Sequence, residues 1–226
     1  MSDQTSSEID ALGERLRRRS GAAANIRALE RYRQSFVAPY ETVMTLIRAD
    51  MESPPTGRPG KSTASIVAKL ARGSMRLSQM QDIAGCRIVV PDRDSQQKTI
   101  GRLSELFPGS RVQDLRARPS YGYRAGHVIP TIDQRRGEIQ VRTRLQHYWA
   151  ELSETLALGH AAPQLKYGGD APDLPGTRDR LLTLSDMIAN FEEAGSAFNP
   201  IAQVIVLLGI GLTGYTMERE MRSQSE

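Results

Sequence analysis

Two carboxylates at the margins of predicted strands are the residues best suited to chemistry in this sequence. Asp82 comes just ahead of the β-branched run Ile88–Val90 and has Arg87 nearby, while Glu138 has Arg142 nearby. Carboxylate oxygens are good ligands for Mg²⁺, and arginines bind phosphates. The pair indicates a magnesium and phosphate site. The alternative is two half-buried strands with solvated polar faces.

The stretch Gly137–Thr143 shows how such side chains would be positioned. Glu138, Gln140 and Arg142 alternate with two apolar residues. A period of two places the three polar groups on one face of a strand and the apolar pair on the other.

A basic loop, GRPGKST, leads into a predicted helix. It resembles the end of a phosphate-binding P-loop, but that motif requires glycine where the chain has Pro55, and no strand is predicted before it. Arg58 and Lys61 are nevertheless placed to bind phosphate at a helix N-terminus. The alternative is a solvated basic loop.

The loop Arg116–His127 combines aromatic and basic side chains. Tyr121 and Tyr123 flank a glycine, and three arginines and a histidine surround them. A tyrosine face stacks on a base with about 1–3 kcal/mol, and arginines bind the phosphates. The loop favours nucleotide binding over the alternative, tyrosines that pack on the domain surface.

The remaining residues predict an α+β fold with a mixed, largely antiparallel sheet flanked by helices. Apolar residues recur at helical spacing over 25–51, with a bend at Pro39, and further helices are predicted at about 62–73, 94–107, 144–158, 177–194 and 200–223. Closely spaced strands after Gly109 argue for antiparallel pairing.

Composition bounds the class of protein. The chain has 226 residues, a formal net charge of +4 and a single cysteine, Cys86. A disulfide framework and a cysteine-rich zinc site are excluded, and Cys86 is expected to be a core residue. The polar N-terminus lacks a secretion signal, which predicts a cytoplasmic protein. The apolar run Ile201–Tyr215 is too short to span a bilayer as a helix. We expect it to be a buried or oligomer-forming helix, and contact with a membrane surface is the alternative.

Several motifs agree in order and spacing with one family. The series K-x-x-x-SI-x-x-KL, DIAG-x-RI, GYR-x-x-H, EIQ-x-RT and WA, over about Leu29 to Leu156, resembles the synthetase domain of the RelA/SpoT family. That domain has a nucleotidyltransferase-like fold and makes (p)ppGpp by moving pyrophosphate from ATP to the 3′-hydroxyl of GDP or GTP. The chain resembles the small, single-domain alarmone synthetases.

The resemblance implies a role for each matching residue. Asp82 would bind Mg²⁺, and Glu138 would bind metal or act as general base on the acceptor hydroxyl. Arg87 would stack on adenine and Tyr123 on the acceptor base. The implied ATP-binding set is Arg58, Lys61, Ser65, Lys69 and Arg87. The implied acceptor-binding set is Tyr123, Arg124, His127, Gln140 and Arg142.

The resemblance also implies a division of the chain. Residues 1–24 form a polar, basic N-terminal tail, residues 25–160 the catalytic domain, and residues 161–226 a loop and a C-terminal helical extension. Departures from the family pattern occur at Pro59, which displaces the loop arginine by one residue, and at Glu154, Leu158 and Gly159. These residues replace a histidine and a Tyr-Lys pair.

Two rival hypotheses remain open. Some small relatives are toxins of toxin–antitoxin systems that pyrophosphorylate the 3′ end of tRNA or an adenine nucleotide. In that case tRNA and an antitoxin protein become partners. The third hypothesis is a degenerate fold that binds nucleotide or RNA without turnover. A homo-oligomer is compatible with all three.

Overall fold

The structure is a computed structural model and describes residues 5–18, 22–73, 75–159 and 162–194. The helices in these ranges are α1 (Ser6–Arg17), α2 (Ala23–Gln34), α3 (Val37–Asp50), α4 (Thr63–Arg72), α5 (Arg93–Leu106), α6 (Arg144–Gly159) and α7 (Thr177–Glu193). The strands are β1 (Thr56–Arg58), β2 (Gly85–Val90), β3 (Arg111–Asp114), β4 (Gly126–Ile129), β5 (Thr131–Ile132), β6 (Arg135–Arg136) and β7 (Glu138–Thr143). Short 3₁₀ turns lie at Leu77–Gln79 and Pro163–Tyr167.

Five of these strands form one sheet in the order β1-β2-β7-β4-β3, and β5 and β6 form a separate antiparallel pair. The sheet is mixed and mostly antiparallel, which confirms the predicted α+β class. The order places β2, which follows Asp82, next to β7, which begins at Glu138. Neighbouring strands therefore deliver the two predicted carboxylates.

The burial of β2, and of β7 as far as Val141, follows the alternation of their sequences. Cys86, Ile88 and Val90 are buried, as are Ile139 and Val141, while the intervening residues Arg87 and Gln140 are only partly buried. At the end of β7 both Arg142 and Thr143 are buried, so Arg142 does not share the partly exposed face of Glu138 and Gln140. Burial also raises the pKa of the Cys86 thiol to about 12, which confirms a core residue instead of a nucleophile.

Strand β1 was not predicted, because its three residues lie between prolines and read as a loop. It pairs antiparallel with β2, with Gly57 opposite Cys86. A Cβ atom on Gly57 would lie 2.5 Å from the carbonyl oxygen of Gly85, so this pairing requires glycine.

By compactness the chain divides into two units. The first comprises Met1–Ile88, Leu103–Val112 and Val128–Gln140. The second comprises Val89–Arg102, Gln113–His127 and Val141–Glu226.

Within the first unit, α1 is a helix in the segment that was expected to be a polar tail. The Thr5 hydroxyl and the Glu8 carboxylate form a capping box, and Ile9, Leu12 and Leu16 are buried. The helix packs against α2 and α4. The apolar spacing was missed because charged residues surround it.

The bend expected at Pro39 lies a few residues earlier. The chain turns at Ser35 and Phe36, between α2 and α3. Pro39 is the third residue of α3, where the absent N–H does not interrupt a helical hydrogen bond.

Within the second unit, α6 and α7 enclose an apolar cluster, as their sequence periodicity predicts. The indole of Trp149 on α6 donates to the carbonyl oxygen of Leu181 on α7 at 2.8 Å. Both helices lie close to their predicted bounds. Buried members of the cluster are Leu145, Trp149, Ala150, Leu156, Ala157, Ala162, Leu165, Ala171, Leu174, Leu181, Leu184 and Ile188.

The helix predicted at 200–223 and the apolar run Ile201–Tyr215 lie outside the described residues. In the described ranges, none of the helices is long and apolar enough to cross a bilayer.

Candidate active site

Asp82 lies between two lysines in the first unit. The Lys61 ammonium donates to Oδ2 of Asp82 at 2.6 Å, and the Lys69 ammonium donates to Oδ1 at 2.9 Å. Lys69 projects from α4, and the backbone N–H of Lys61 donates to the carbonyl oxygen of Ile83 at 2.6 Å. The basic loop and α4 are thus fastened to the segment that enters β2.

Two opposing effects act on the Asp82 carboxyl. Burial alone would raise its pKa, but the charges of Lys69 and Lys61 and their hydrogen bonds outweigh burial and lower it. Asp82 is therefore ionised at neutral pH and shares its charge between two cations.

Glu138 stands at the start of β7, close to the backbone that follows Asp82. Its N–H donates to the carbonyl oxygen of Ala84 at 3.2 Å. A Cβ atom on Gly85 would lie 2.8 Å from the carbonyl oxygen of Glu138, so glycine permits this close approach. The Gln140 amide donates to the Glu138 carboxylate at 2.6 Å, which orients it on the polar face of the strand.

The other predicted ATP-binding residues surround this pair of strands. Arg58 lies in β1 opposite Gly85, and Arg87 lies in β2 opposite Thr56. The hydroxyl of Ser62 accepts from the Ser65 N–H at 3.2 Å, so Ser62 is the N-cap of α4.

Arg33 is a neighbour of the basic loop that the sequence did not suggest. Its Nη2 atom would lie 3.3 Å from a Cβ atom on Gly60, and its guanidinium pairs with Glu30 at 2.6 Å. The residue is distant in sequence and lies on a helix with many charges, so no sequence signal distinguishes it.

The predicted acceptor-binding residues of the second unit form one cluster around Tyr123. Its hydroxyl lies 2.9 Å from Nε2 of His127 and accepts from Nη2 of Arg142 at 3.1 Å. The Arg142 guanidinium also lies 4.9 Å from the centre of the tyrosine ring. This cation–π contact covers part of the ring that was predicted to stack on a base.

Arg124, also predicted for the acceptor, directs its guanidinium towards α7 and Arg116. Nε donates to the Ser185 hydroxyl at 3.0 Å, and Nη2 pairs with Asp186 at 2.7 Å. Nη1 donates to the carbonyl oxygen of Arg116.

The structure therefore sorts the predicted residues into two groups. Asp82, Lys61 and Lys69 are joined by ion pairs, and Glu138 is joined to Gln140, in the first unit. Gln140 was predicted for the acceptor, and its side-chain amide donates to the Glu138 carboxylate. Tyr123, His127 and Arg142 form the second group, in the second unit.

Comparison with known proteins identifies the part of the chain that carries both groups. A family model described as a region found in RelA / SpoT proteins matches residues 57–158. For this similarity we call residues 57–158 the RelA/SpoT region. It contains every candidate residue of both groups. An uncharacterized protein from Mycobacterium bovis is 40% identical to the chain over 101 residues. That match covers 43% of this chain and 37% of the relative, so the chain spans well under half of the mycobacterial protein.

Solved structures share the fold over more of the chain than residues 57–158. A GTP pyrophosphokinase family protein from Streptococcus pneumoniae superposes with a TM-score of 0.58 at 24% identity, over 80% of this chain and 97% of that one. The small alarmone synthetase 1 from Bacillus subtilis gives a TM-score of 0.52 at 26% identity, over 78% and 96%. The same synthetase bound to its product pppGpp gives 0.54 at 26% identity, over 78% and 97%.

Proposed function

We propose that this chain is a Mg²⁺-dependent pyrophosphokinase that transfers the pyrophosphate of ATP to the 3′-hydroxyl of GDP or GTP. The observation that carries the proposal is the ion-paired Asp82 between Lys61 and Lys69. It lies just ahead of β2, which pairs with the strand of Glu138, within the residues that match the RelA/SpoT model. The product-bound relative from Bacillus subtilis supports a guanine nucleotide as acceptor.

The acidic pair suits magnesium. In the described part of the chain, no group of three or more acidic, histidine or cysteine residues could hold a metal by itself. Mg²⁺ is commonly bound by one or two carboxylates together with substrate phosphates. Asp82 and Glu138 would supply those carboxylates. The bound ion would neutralise charge on the phosphates.

The lysines would bind the donor phosphates. In the absence of nucleotide they neutralise Asp82, and a polyphosphate offers them a replacement anion. Binding of ATP together with Mg²⁺ would therefore free the Asp82 oxygens for the ion, so neither the lysines nor the carboxylate would be left unpaired. Arg87 and Arg58 would flank the adenine, and Ser65 would lie at the N-terminus of α4 beside the phosphates.

Glu138 would act on the acceptor. Its carboxylate would take the proton of the 3′-hydroxyl as that oxygen bonds to the β-phosphorus of ATP. The bond between the β-phosphorus and the oxygen that bridges it to the α-phosphate breaks, and AMP leaves. The reaction requires positioning and charge stabilisation more than covalent catalysis, which fits a site built from cations and carboxylates.

Tyr123 would face the acceptor base, with Arg142 and His127 beside it. The hydrogen bonds that the phenol makes with His127 and Arg142 fix its orientation, so the ring would be presented in one position.

The test is transfer of label from γ-labelled ATP by the Asp82→Ala and Glu138→Ala variants. We expect each to lower kcat at least about a hundredfold, because each removes charge stabilisation or proton transfer at the reacting atoms. Glu41→Gln, an exposed acid on α3, is the matched control and should retain full activity. Wild-type rates in both carboxylate variants would refute the assignment.

A further inference from the structure

Helix α7 holds a tight turn in the acceptor loop. Ser120 and Tyr123 bridge in antiparallel fashion and exchange backbone hydrogen bonds at 3.1 and 3.0 Å. The two residues between them have positive φ, +51° at Tyr121 and +84° at Gly122. Such a two-residue turn favours Asn-Gly, and tyrosine in the left-handed region is uncommon. We call Ser120–Tyr123 the tyrosine hairpin.

The contact between α7 and this hairpin passes through one buried hydroxyl. Ser185 is 2% exposed. Its hydroxyl accepts from Nε of Arg124 at 3.0 Å and donates to the carbonyl oxygen of Gly122 at 2.5 Å. A single serine therefore satisfies a carbonyl inside the turn and a guanidinium just after it.

The next residue of α7 completes the attachment. Asp186 pairs with Nη2 of Arg124 at 2.7 Å, and the third nitrogen of this guanidinium donates to the carbonyl oxygen of Arg116. The three guanidinium nitrogens of Arg124 thus connect two parts of the acceptor loop and attach the loop to α7. Its side chain is only 11% exposed, which suits an anchoring role more than contact with a ligand.

Close packing against Trp149 and Gly168 also holds the tyrosine hairpin in place. A Cβ atom on Gly122 would lie 2.7 Å from the indole of Trp149, so the turn rests directly on that ring. The Tyr121 ring packs on Gly168, where a Cβ atom would lie 2.5 Å from it, and still remains 55% exposed. The hairpin therefore presents Tyr121 to solvent while Tyr123 turns towards His127.

A second anchor ties the end of α7 to β7. The buried Glu192 accepts from the Thr143 hydroxyl and, at 2.9 Å, from the Gln146 amide. Thr143 follows Arg142, whose guanidinium contacts Tyr123. Helix α7 thus fixes the two segments of the second unit that carry the Tyr123 cluster.

We propose that Ser185 and Asp186 are positioning residues for the acceptor and that Arg124 acts through them, without binding the acceptor itself. The inference rests on the proposed function and deepens it. Helix α7 lies beyond residues 57–158, the stretch that matches the RelA/SpoT model. The sequence of α7 would therefore influence how tightly the acceptor binds, independently of the shared motifs.

Two measurements on the full chain test the proposal. The variants are Ser185→Ala, Asp186→Asn and the double variant, with Ser185→Thr as the conservative replacement and Asp179→Asn on the exposed part of α7 as control. Trp149 is the sole tryptophan of the chain, so its fluorescence reports on the hairpin that covers it. We expect the first three variants to increase acrylamide quenching of Trp149, and Asp179→Asn to leave it unchanged.

Steady-state transfer supplies the second measurement. We expect KM for the guanine nucleotide to rise about tenfold in the double variant, because a displaced contact surface binds less well. KM for ATP should remain unchanged in the double variant. Ser185→Thr keeps the hydroxyl, so this variant should retain most of the wild-type affinity for the acceptor.

The outcomes separate the two claims. A folded wild-type protein that transfers nothing refutes the proposed function. An active wild type whose double variant keeps the same acceptor KM refutes the positioning role, whatever the quenching shows. An equal rise in both KM values also refutes it, since α7 would then act on the fold as a whole.

Discussion

At the scale of single residues, the Asp82 carboxylate depends on its two lysines for its charge. A carboxyl whose pKa is lowered by folding contributes stability above its unfolded pKa and loses that contribution as pH falls through the folded pKa. Removing one ammonium group weakens the effect that opposes burial, so the pKa of Asp82 rises.

This sign gives a prediction for Lys69→Met. We expect the variant to lose stability on acidification at a higher pH than the wild type, because Asp82 then protonates sooner. Urea denaturation midpoints measured from pH 7 to pH 3 would show the shift. Lys98→Met, an exposed lysine on α5, should follow the wild-type curve. A Lys69→Met curve that matches the wild type would contradict the role of this ion pair.

Sequence predicts residues of the site better than it predicts their contacts. The alternation in β7 correctly places Glu138 and Gln140 on one polar face. The ion pairs of Asp82 join residues that are 21 and 13 positions apart, so they depend on how α4 and the basic loop pack. The attachment of Arg124 to α7 spans more than 60 positions and leaves no local pattern.

At the scale of elements, Gly122 and Gly101 offer a matched pair. Gly122 has a φ of +84° and no room for a Cβ atom beside Trp149. Gly101 lies in helix α5, and a Cβ atom added there would have no neighbouring atom within 4 Å outside the helix backbone. Alanine at Gly122 would strain the backbone at its positive φ and would overlap the indole of Trp149. Alanine at Gly101 only reduces the entropy of the unfolded chain.

We predict that these two substitutions have opposite effects on the free energy of unfolding. Gly122→Ala should lower it by about 2 kcal/mol or more. Gly101→Ala should raise it by about 0.5–1 kcal/mol. Urea unfolding of both variants beside the wild type measures the difference. Equal stability of the two variants would show that the hairpin does not rest on Trp149 as described.

Elements with strong periodicity were predicted well. Short elements, and those whose apolar residues lie among many charged ones, were not. Helices α4, α6 and α7 and strands β2 and β7 lie close to their predicted bounds, because apolar residues repeat at one clear period. Strand β1 has only three residues and exists through its pairing with β2. Helix α1 carries its few apolar residues among arginines and glutamates, and its burial becomes visible only when α2 and α4 are present.

At the scale of the whole molecule, the two groups of site residues fall in different compact units. The first unit holds Asp82, its lysines and Glu138, and the second holds the Tyr123 cluster. Both groups lie within the RelA/SpoT region, while α1 and α7 flank it in sequence. Helix α1 packs against α4, which carries Lys69, and α7 contacts the loop that carries Tyr123. Residues outside the shared motifs therefore support both groups of site residues.

The acceptor is the property of the whole molecule that its motifs leave open. GDP, GTP, an adenine nucleotide and the 3′ end of tRNA all present a hydroxyl to the same transfer chemistry. We expect the choice among them to depend on the surroundings of Tyr123, which include α7.

One measurement tests the central claim most directly. Purified protein is incubated with γ-labelled ATP and Mg²⁺ in parallel with GDP, GTP, ADP or deacylated tRNA, and Glu138→Ala serves as the blank. We expect label on GDP or GTP with the wild type and none with the blank. Label only on tRNA or on an adenine nucleotide would contradict the guanine acceptor, and no transfer by the folded protein would contradict the assignment as a pyrophosphokinase.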